Sequence, residues 1–338
     1  MTDYFRPLVQ IGPARPDTAV SLAGGWGWFT HAEVLSRSTP PRVVPAADIP
    51  ASVMARLTAP RPAMAGLTLD RPRIMGILNT TPDSFSDGGQ HNAVPDALRV
   101  AQKMVAVGAD ILDIGGESTR PGADFVPVSE EITRTAPVIA ALRGAGLHTP
   151  ISIDTRKAAV AEAAVSAGAN LVNDVSGFTF DPALGPLCQK LALPVCVMHA
   201  QGDPATMHLD PQYDNVLLDV FDALERQISM QEASGIPRGA ILADPGIGFG
   251  KTQDHNLALL ARLSLFHALG TPILLGVSRK RFIGTIGNAP QAQDRAPGSI
   301  AVALAGLGQG VQMIRVHDVD DTRQAVALWH AAYFGSIL

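Results

Sequence analysis

Short apolar runs of strand length recur along the chain, and each ends on its carboxyl side in polar residues that a protein core would not accept. Eight such runs occur, at 74–78, 111–114, 150–153, 171–172, 194–198, 240–243, 272–277 and 311–316. Apolar runs bounded by glycine and proline, with Ala- and Leu-rich stretches between them, predict βαβ units and a parallel sheet. Eight units predict an α/β fold of the (β/α)8 TIM-barrel class, in which residues at the carboxyl ends of the strands form the active site.

The stretches between the runs carry the composition and end signals of helices. Several open at Asp or Ser and close at Gly, as helix caps do. The predicted helices are 95–107, 130–143, 156–167, 215–234, 254–268, 297–308 and 320–333. Their apolar content predicts an outer ring packed on the strands.

A barrel of about 250 residues leaves an N-terminal appendage, which we place at residues 1–72, with the barrel at 73–338. The appendage is rich in proline and poor in periodicity, which indicates irregular backbone with short ordered pieces. Trp26, Trp28 and Phe29 are the exception. Because disordered segments are poor in aromatic residues, we expect this cluster to dock on the barrel or on a neighbouring subunit.

Composition narrows the class of ligand. The 338 residues carry a formal charge of −5, with Lys and Arg scattered along the chain, so no electrostatic footprint for nucleic acid or an anionic membrane is present. A small-molecule substrate is favoured. Cys188 and Cys196 lack zinc-ligand spacing and suit buried thiols in a reducing compartment. No apolar stretch reaches membrane-spanning length and no signal peptide is evident, which predicts a cytoplasmic protein.

Two carboxylates end apolar runs and are the first candidates for chemistry. Asp154 and Asp244 would both project into the barrel mouth, where a buried carboxylate requires donors. Asp154 could instead cap the helix that follows it. No helix signal follows Asp244. With the Asn173 amide, the two carboxylates would suit a flat, guanidine-like heterocycle that offers paired N–H donors.

Cationic residues end the last two runs, where barrels frequently bind phosphate. Lys280 follows the seventh run, and Arg315 and His317 lie on one face of the eighth, which suggests an anion clamp. The alternative is an ordinary rim ion pair of Arg315 with Asp318 or Asp320. The segment GIGFGKT (246–252) is not a phosphate-binding P-loop, since that motif requires glycine where Pro245 stands.

Two segments between strands are longer than ordinary connections. NTTPDSFSDGG (79–89) and GGESTRPGADF (115–125) are dense in Gly, Pro, Ser and Asp, which supply turns and backbone donors. Both are predicted to be active-site loops.

Seven segments together resemble the dihydropteroate synthase family. They are MGILNTTPDSFSDGG (75–89), DIGGESTRPGA (113–123), SIDT (152–155), VNDVSG (172–177), DPGIGFGK (244–251), SRKRFIG (278–284) and RVHDV (315–319). The resemblance runs from about residue 74 to the C-terminus, in order. It implies a barrel enzyme of folate biosynthesis that condenses 6-hydroxymethyl-7,8-dihydropterin diphosphate with 4-aminobenzoate, releases diphosphate and is the target of sulfonamides. Residues 1–70 and Arg281, where many relatives have Ser, depart from the family pattern.

The resemblance also implies roles for individual residues. The residues implied in pterin binding are Asp154, Asn173, Met198, Asp244 and Lys280. Those implied in diphosphate binding are Asn79, Thr119, Arg315 and His317, and Asn79 would also bind Mg²⁺. Those implied in aminobenzoate binding are Phe85, Ser86, Thr119, Arg120, Pro121, Phe249, Ser278 and Lys280. The catalytic set is Asp154, Asp244, Lys280, Asp87 and Arg120.

Two rival functions share much of this pattern. A pterin methyltransferase that serves a corrinoid would have the barrel and the carboxylates but would need no diphosphate clamp. An inactive synthase-like subunit that only binds a partner would be expected to have lost loop or phosphate residues. By analogy with the family, we expect a homodimer in contact through helices of the last units.

Overall fold

The computed structural model describes residues 3–81, 93–118, 125–202, 207 and 209–337. Its strands are β1 (Tyr4–Pro7), β2 (Val20–Ser21), β3 (Trp28–Phe29), β4 (His31–Leu35), β5 (Arg42–Pro45), β6 (Arg73–Asn79), β7 (Ile111–Gly115), β8 (Ile151–Asp154), β9 (Leu171–Asp174), β10 (Val195–Met198), β11 (Ile241–Asp244), β12 (Leu274–Gly276) and β13 (Met313–Val316). The last eight coincide with the eight apolar runs.

Strands β6 to β13 form one parallel sheet that closes on itself. Neighbours pair in the order β11-β10-β9-β8-β7-β6-β13-β12. The ends of this order meet through a parallel bridge between Ala243 and Ile273, where Ala243 N–H donates to the Pro272 carbonyl at 2.9 Å. The sheet is therefore a closed barrel, which confirms the predicted fold class.

Helix α1 (Ala51–Thr58) precedes the barrel, and helices follow most of the barrel strands. The latter are α2 (Ala93–Ala106), α3 (Val128–Gly144), α4 (Ala158–Ala167), α5 (Leu184–Lys190), α6 (Val216–Ala233), α7 (Gln253–Leu260), α8 (Arg281–Ile286), α9 (Ala296–Gly308) and α10 (Val319–Phe334). The prediction of one helix over 254–268 was wrong, because α7 ends at Leu260 and a separate 3-10 helix spans Leu263–Leu269. None of the described helices is long and apolar enough to cross a membrane.

The barrel interior is filled by apolar side chains that point inward from the strands. The cluster comprises Met75, Ile111, Leu171, Cys196, Leu242, Leu274 and Met313, together with Met64 and Leu69 from the segment before β6. Met64 and Leu67 bridge their backbones in a tight turn. Met64 and Leu69 thus close the amino-terminal end of the barrel, while its carboxyl end is left for polar residues.

The N-terminal segment is built from short antiparallel strands and α1. Strands β1, β4 and β5 form one sheet, and β2 pairs with β3. This segment packs against the barrel's outer helices through polar contacts: the Tyr4 hydroxyl donates to both Asp222 carboxylate oxygens, and the Ser264 hydroxyl donates to the Pro7 carbonyl.

The aromatic cluster of this segment is packed. Trp28 and Phe29 are buried. The Trp26 indole N–H donates to the Leu307 carbonyl on α9 at 3.0 Å, and its ring meets Trp329 of α10 edge to face at 6.4 Å between centroids. These contacts attach the segment to the last two barrel helices.

The floor of the barrel offers a test of its packing. Met64 is 1 % exposed, so Met64→Ala removes buried methylenes and leaves a cavity. We expect a loss of about 2 to 5 kcal/mol in the free energy of unfolding, measured by chemical denaturation. Val43→Ala, at a residue that is 59 % exposed, is the control and should change stability by less than about 0.5 kcal/mol. Equal effects of the two substitutions would contradict this packing.

Candidate active site

Strand register brings three predicted site residues into one row at the carboxyl rim. Asn79 pairs with Gly115, Gly115 with Asp154, and Asp154 with Asn173 across β6 to β9. Gly115 has no side chain, and a Cβ there would lie 3.4 Å from the Asp154 Cβ and 3.8 Å from Asn79 Oδ1. The glycine therefore leaves a gap between the amide and the carboxylate.

An ion cluster crosses the barrel mouth behind this row. Arg315 Nε donates to Asp113 Oδ2 at 2.5 Å, and its Nη2 donates to Asp154 Oδ2 at 2.7 Å. Asn173 Nδ2 donates to the same Asp113 oxygen at 3.1 Å. Asp113 thus holds both the guanidinium and the amide from below, with a side chain that is fully buried.

Sequence reasoning missed Asp113. The residue lies inside the apolar run ILDI, whereas the pattern used for prediction considered only polar residues at the carboxyl ends of such runs. The available signal was alternation: Ile111 faces the barrel interior, and a residue two positions further along a strand faces the same way. A carboxylate at an inward position of a buried strand requires a cationic or donor partner.

The cluster corrects two alternative interpretations. Asp154 does not cap α4, whose N-cap residue is Lys157 and has no side-chain capping bond. Arg315 does not form a rim ion pair with Asp318, which instead pairs with Arg279. Both residues face the barrel mouth because their charges satisfy each other there.

The second half of the site surrounds Asp244. Its Oδ1 accepts the Gly246 N–H at 2.7 Å. Lys280 Nζ donates to the Ile247 carbonyl and lies 4.6 Å from the centroid of the Phe249 ring. Asp244 ends β11 beside Met198 of β10, and both side chains are nearly buried.

Burial and neighbouring charges shift the ionisation of these groups. Burial raises the pKa of Asp154 to about 7, against the lowering effect of Arg315. Burial also raises the pKa of Asp244, which Lys280 partly offsets. The pKa of Lys280 falls to about 8 because burial outweighs its attraction to Asp244. Two carboxyls with raised pKa values and an amine with a lowered pKa, all in one cleft, are typical of a functional site.

The remaining predicted residues divide into two groups. Ser278 Oγ accepts the His317 backbone N–H at 3.1 Å and lies 2.9 Å from His317 Nδ1, which places both at the same rim. The loop residues Phe85, Ser86, Asp87, Thr119, Arg120 and Pro121 lie outside the described residues. The described part of the candidate site therefore consists of the strand ends and the loop after Asp244.

Comparison with known proteins decides the family. A family model described as pterin binding enzyme matches residues 75–317. A dihydropteroate synthase from Synechocystis is 44% identical over 257 residues, which cover 75% of this chain and 89% of that protein. The chain belongs to the dihydropteroate synthase family. The resemblance of the sequence motifs is thereby confirmed.

Solved structures of dihydropteroate synthases share the fold. The Yersinia pestis enzyme, in a sulfonamide drug complex, has a TM-score of 0.74 and 46% identity and covers 79% of this chain and 96% of its own. The Xanthomonas albilineans enzyme, in complex with 7,8-dihydropteroate, has a TM-score of 0.72 and 42% identity, with coverages of 79% and 95%. The N-terminal segment lies outside the family match.

The ion cluster predicts an unusual carboxyl titration. Because the folded-state pKa of Asp154, about 7, exceeds its ordinary value of 3.8, the folded protein binds this proton more tightly than the unfolded chain. Its contribution to the free energy of unfolding therefore falls as pH rises from about 4 through 7. In NMR titrations of ¹³C-aspartate-labelled protein, we expect one carboxyl signal to titrate near pH 7. This signal should be missing in Asp154→Asn, which assigns it. In Arg315→Met its pKa should be higher still, because the stabilising cation is gone.

Arg281→Met is the matched control, since Arg281 is an exposed cation at the same rim and its removal should leave the titration in place. The proposed cluster would be contradicted if the Asp154 carboxyl titrated near pH 4, or if its pKa did not change in Arg315→Met.

Proposed function

We propose that the chain catalyses the condensation of 6-hydroxymethyl-7,8-dihydropterin diphosphate with 4-aminobenzoate to give 7,8-dihydropteroate and diphosphate, as a dihydropteroate synthase of folate biosynthesis. The observation that carries the proposal is the grouping of Asp154, Asn173 and Asp244 with Lys280 and Arg315 in one barrel mouth, in a chain 44% identical to a dihydropteroate synthase. The grouping offers acceptors for a heterocycle and cations for an anionic leaving group.

The carboxylates would bind the edge of the pterin ring. A pterin presents an amino group and ring N–H groups side by side, so ionised Asp154 and Asp244 can accept from them while the Asn173 amide offers both a donor and an acceptor. Lys280 and Met198 would line the same pocket. In the free protein the Nη2 group of Arg315 occupies Asp154, so pterin binding exchanges one donor for another.

The diphosphate would lie on the cationic side of the mouth. Arg315 is the penultimate residue of β13 and His317 follows the strand, while Thr119 is assigned from the family motif. The resemblance implies Mg²⁺, an ion that is usually bound by few protein oxygens together with substrate phosphates. The Asn79 side-chain oxygen would hold it, and bound Mg²⁺ would offset charge on the departing diphosphate.

The step that requires catalysis is the departure of the diphosphate leaving group. An aryl amine is unprotonated at neutral pH, so 4-aminobenzoate needs no strong general base. Cations placed at the diphosphate stabilise the charge that develops as the bond breaks, and carboxylates under the ring stabilise positive charge at the methylene carbon. We therefore propose a dissociative, SN1-like substitution, with Phe249, Ser278 and the two loops holding the second substrate.

The rival functions fit less well. A corrinoid-linked methyltransferase has no use for Arg315 and His317 beside a diphosphate, and an inactive subunit would not be expected to keep every assigned position occupied by a compatible residue.

We also propose a cytoplasmic homodimer. By analogy with the family, helices of the last barrel units would form the subunit contact.

Activity tests the proposal directly. Purified protein with Mg²⁺, the pterin diphosphate and 4-aminobenzoate should form 7,8-dihydropteroate, and sulfonamides should inhibit it. Asp244→Asn should weaken pterin binding about 10- to 100-fold by calorimetry, because a neutral amide replaces a charged acceptor. Asp320→Asn, at an exposed site on α10, is the control. Wild-type protein that binds the pterin but forms no product would support the inactive-subunit alternative, and unchanged affinity in Asp244→Asn would remove that residue from the pocket.

The dissociative step has its own test. Deuterium at both methylene positions of the pterin should give a normal secondary isotope effect on kcat/KM, because the carbon rehybridises as the leaving group departs. A ratio of unity under conditions where chemistry limits the rate would indicate direct displacement by the amine.

A further inference from the structure

The loop after Asp244 is organised by a buried lysine that the proposed reaction does not use. Lys251 Nζ lies 2.9 Å from the Gly246 carbonyl, 3.0 Å from the Phe249 carbonyl and 3.3 Å from the His199 carbonyl. It also lies 2.9 Å from His199 Nδ1. Among the described residues this amine has no carboxylate partner within an ion-pair distance, and Lys251 is only 5 % exposed.

The contacts join the two ends of the loop to the neighbouring strand. Gly246 opens the loop, Phe249 lies near its end, and His199 follows β10. The ring of His199 is neutral, since burial and the Lys251 charge lower its pKa to about 3. Burial likewise lowers the pKa of Lys251, but Nζ carries N–H donors in either protonation state. The lysine therefore supplies donors to three backbone carbonyls, of which that of Gly246 also accepts the Phe249 N–H.

The loop has little freedom to adopt another shape while these bonds hold. Gly246 has φ of +66° and Gly250 has φ of +59°, values that other residues rarely adopt. A side chain at Gly246 would collide with the His199 carbonyl, and one at Gly250 with the Gln201 carbonyl. The backbone thus packs directly on the segment that follows β10, with Lys251 enclosed between them.

The same loop completes the candidate active site. Its Gly246 N–H donates to Asp244 Oδ1, its Ile247 carbonyl accepts from Lys280, and its Phe249 ring lies beneath the Lys280 ammonium. All three contacts depend on the loop conformation that Lys251 holds. Lys251 is not among the residues proposed to contact the substrates. Any effect of Lys251 on substrate binding must therefore act through the loop.

We propose that Lys251 is a positioning residue, which fixes the 245–250 loop so that the loop in turn orients Asp244 and Lys280 for the pterin substrate. This inference deepens the proposed function and rests on it for the identity of the ligand. The mechanical part, that Nζ holds the loop, stands on the contacts alone.

Two variants and a control test the mechanical part. Lys251→Met keeps the apolar stem and removes every donor, whereas Lys251→Gln keeps an N–H donor on a side chain shorter by one bond. Lys190→Met, at an exposed lysine on α5, is the control. Amide hydrogen exchange of the peptide that contains residues 245–250 should accelerate at least tenfold in Lys251→Met, less in Lys251→Gln and not in Lys190→Met, with the barrel strands unchanged. Unchanged exchange in Lys251→Met would overturn the proposal.

A double-mutant cycle separates positioning from general stability. We expect Lys251→Met to weaken binding of the pterin diphosphate, with Mg²⁺ present, by about tenfold, roughly the loss of one charge-assisted hydrogen bond. In the Asp244→Asn background the same change should cost less than about twofold, because the contact that it positions is already weakened. Equal losses in both backgrounds would show that Lys251 does not act through Asp244 and would overturn that part of the proposal.

The cycle can be run with Lys251→Gln if Lys251→Met does not fold, with a smaller loss expected in the wild-type background and the same convergence in Asp244→Asn. Wild-type protein that fails to bind the pterin diphosphate would refute the proposed function instead, and the exchange measurement would then decide the role of Lys251 in the loop by itself.

Discussion

The ion cluster of Arg315 with Asp113 and Asp154 is the interaction on which the mouth of the barrel depends. Two carboxylates, on strands β7 and β8, share one guanidinium from β13 at the carboxyl end of the barrel. Burial alone would lower the pKa of Arg315, but the two carboxylates raise it, so the guanidinium stays charged. Removal of Arg315 would leave two buried carboxyl groups without their cation, whereas removal of either carboxylate would leave a single ion pair.

This cluster also explains why the pocket suits an anionic heterocyclic ligand. Asp113 is fully buried and accepts hydrogen bonds from both Arg315 and Asn173. It therefore holds these two side chains in place at the bottom of the site. Asp154 lies nearer the opening, and Arg315 bridges the two. A ligand that brings N–H donors for Asp154 and phosphate oxygens for Arg315 can replace the outer ion pair while the inner one remains. Binding at Asp154 and Arg315 then exchanges existing interactions for new ones.

The barrel was predictable from the sequence because its strands are buried on both faces and read as continuous apolar runs. Asp154, Asn173 and Asp244 were predictable because strand ends in such a fold meet at one rim. Asp113 lies inside its apolar run, so its inward position could be inferred only from alternation with Ile111, and its pairing with Arg315 and Asn173 depends on the folded barrel. The closure of the barrel floor by Met64 and Leu69 and the pairing of β1 with β4 were missed for the same reason: short segments gain their structure from tertiary contacts that local pattern does not encode. The cage around Lys251 is likewise a product of the folded loop.

The most direct test of the account is a crystal structure with the pterin diphosphate bound. We expect the pterin to lie at Asp154 and Asp244 and the diphosphate to contact Arg315. The bond from Arg315 to Asp154 should be lost, while the bond from Arg315 to Asp113 persists. A ligand bound elsewhere, or one seated in the mouth with the bond from Arg315 to Asp154 intact, would contradict the central role of the ion cluster.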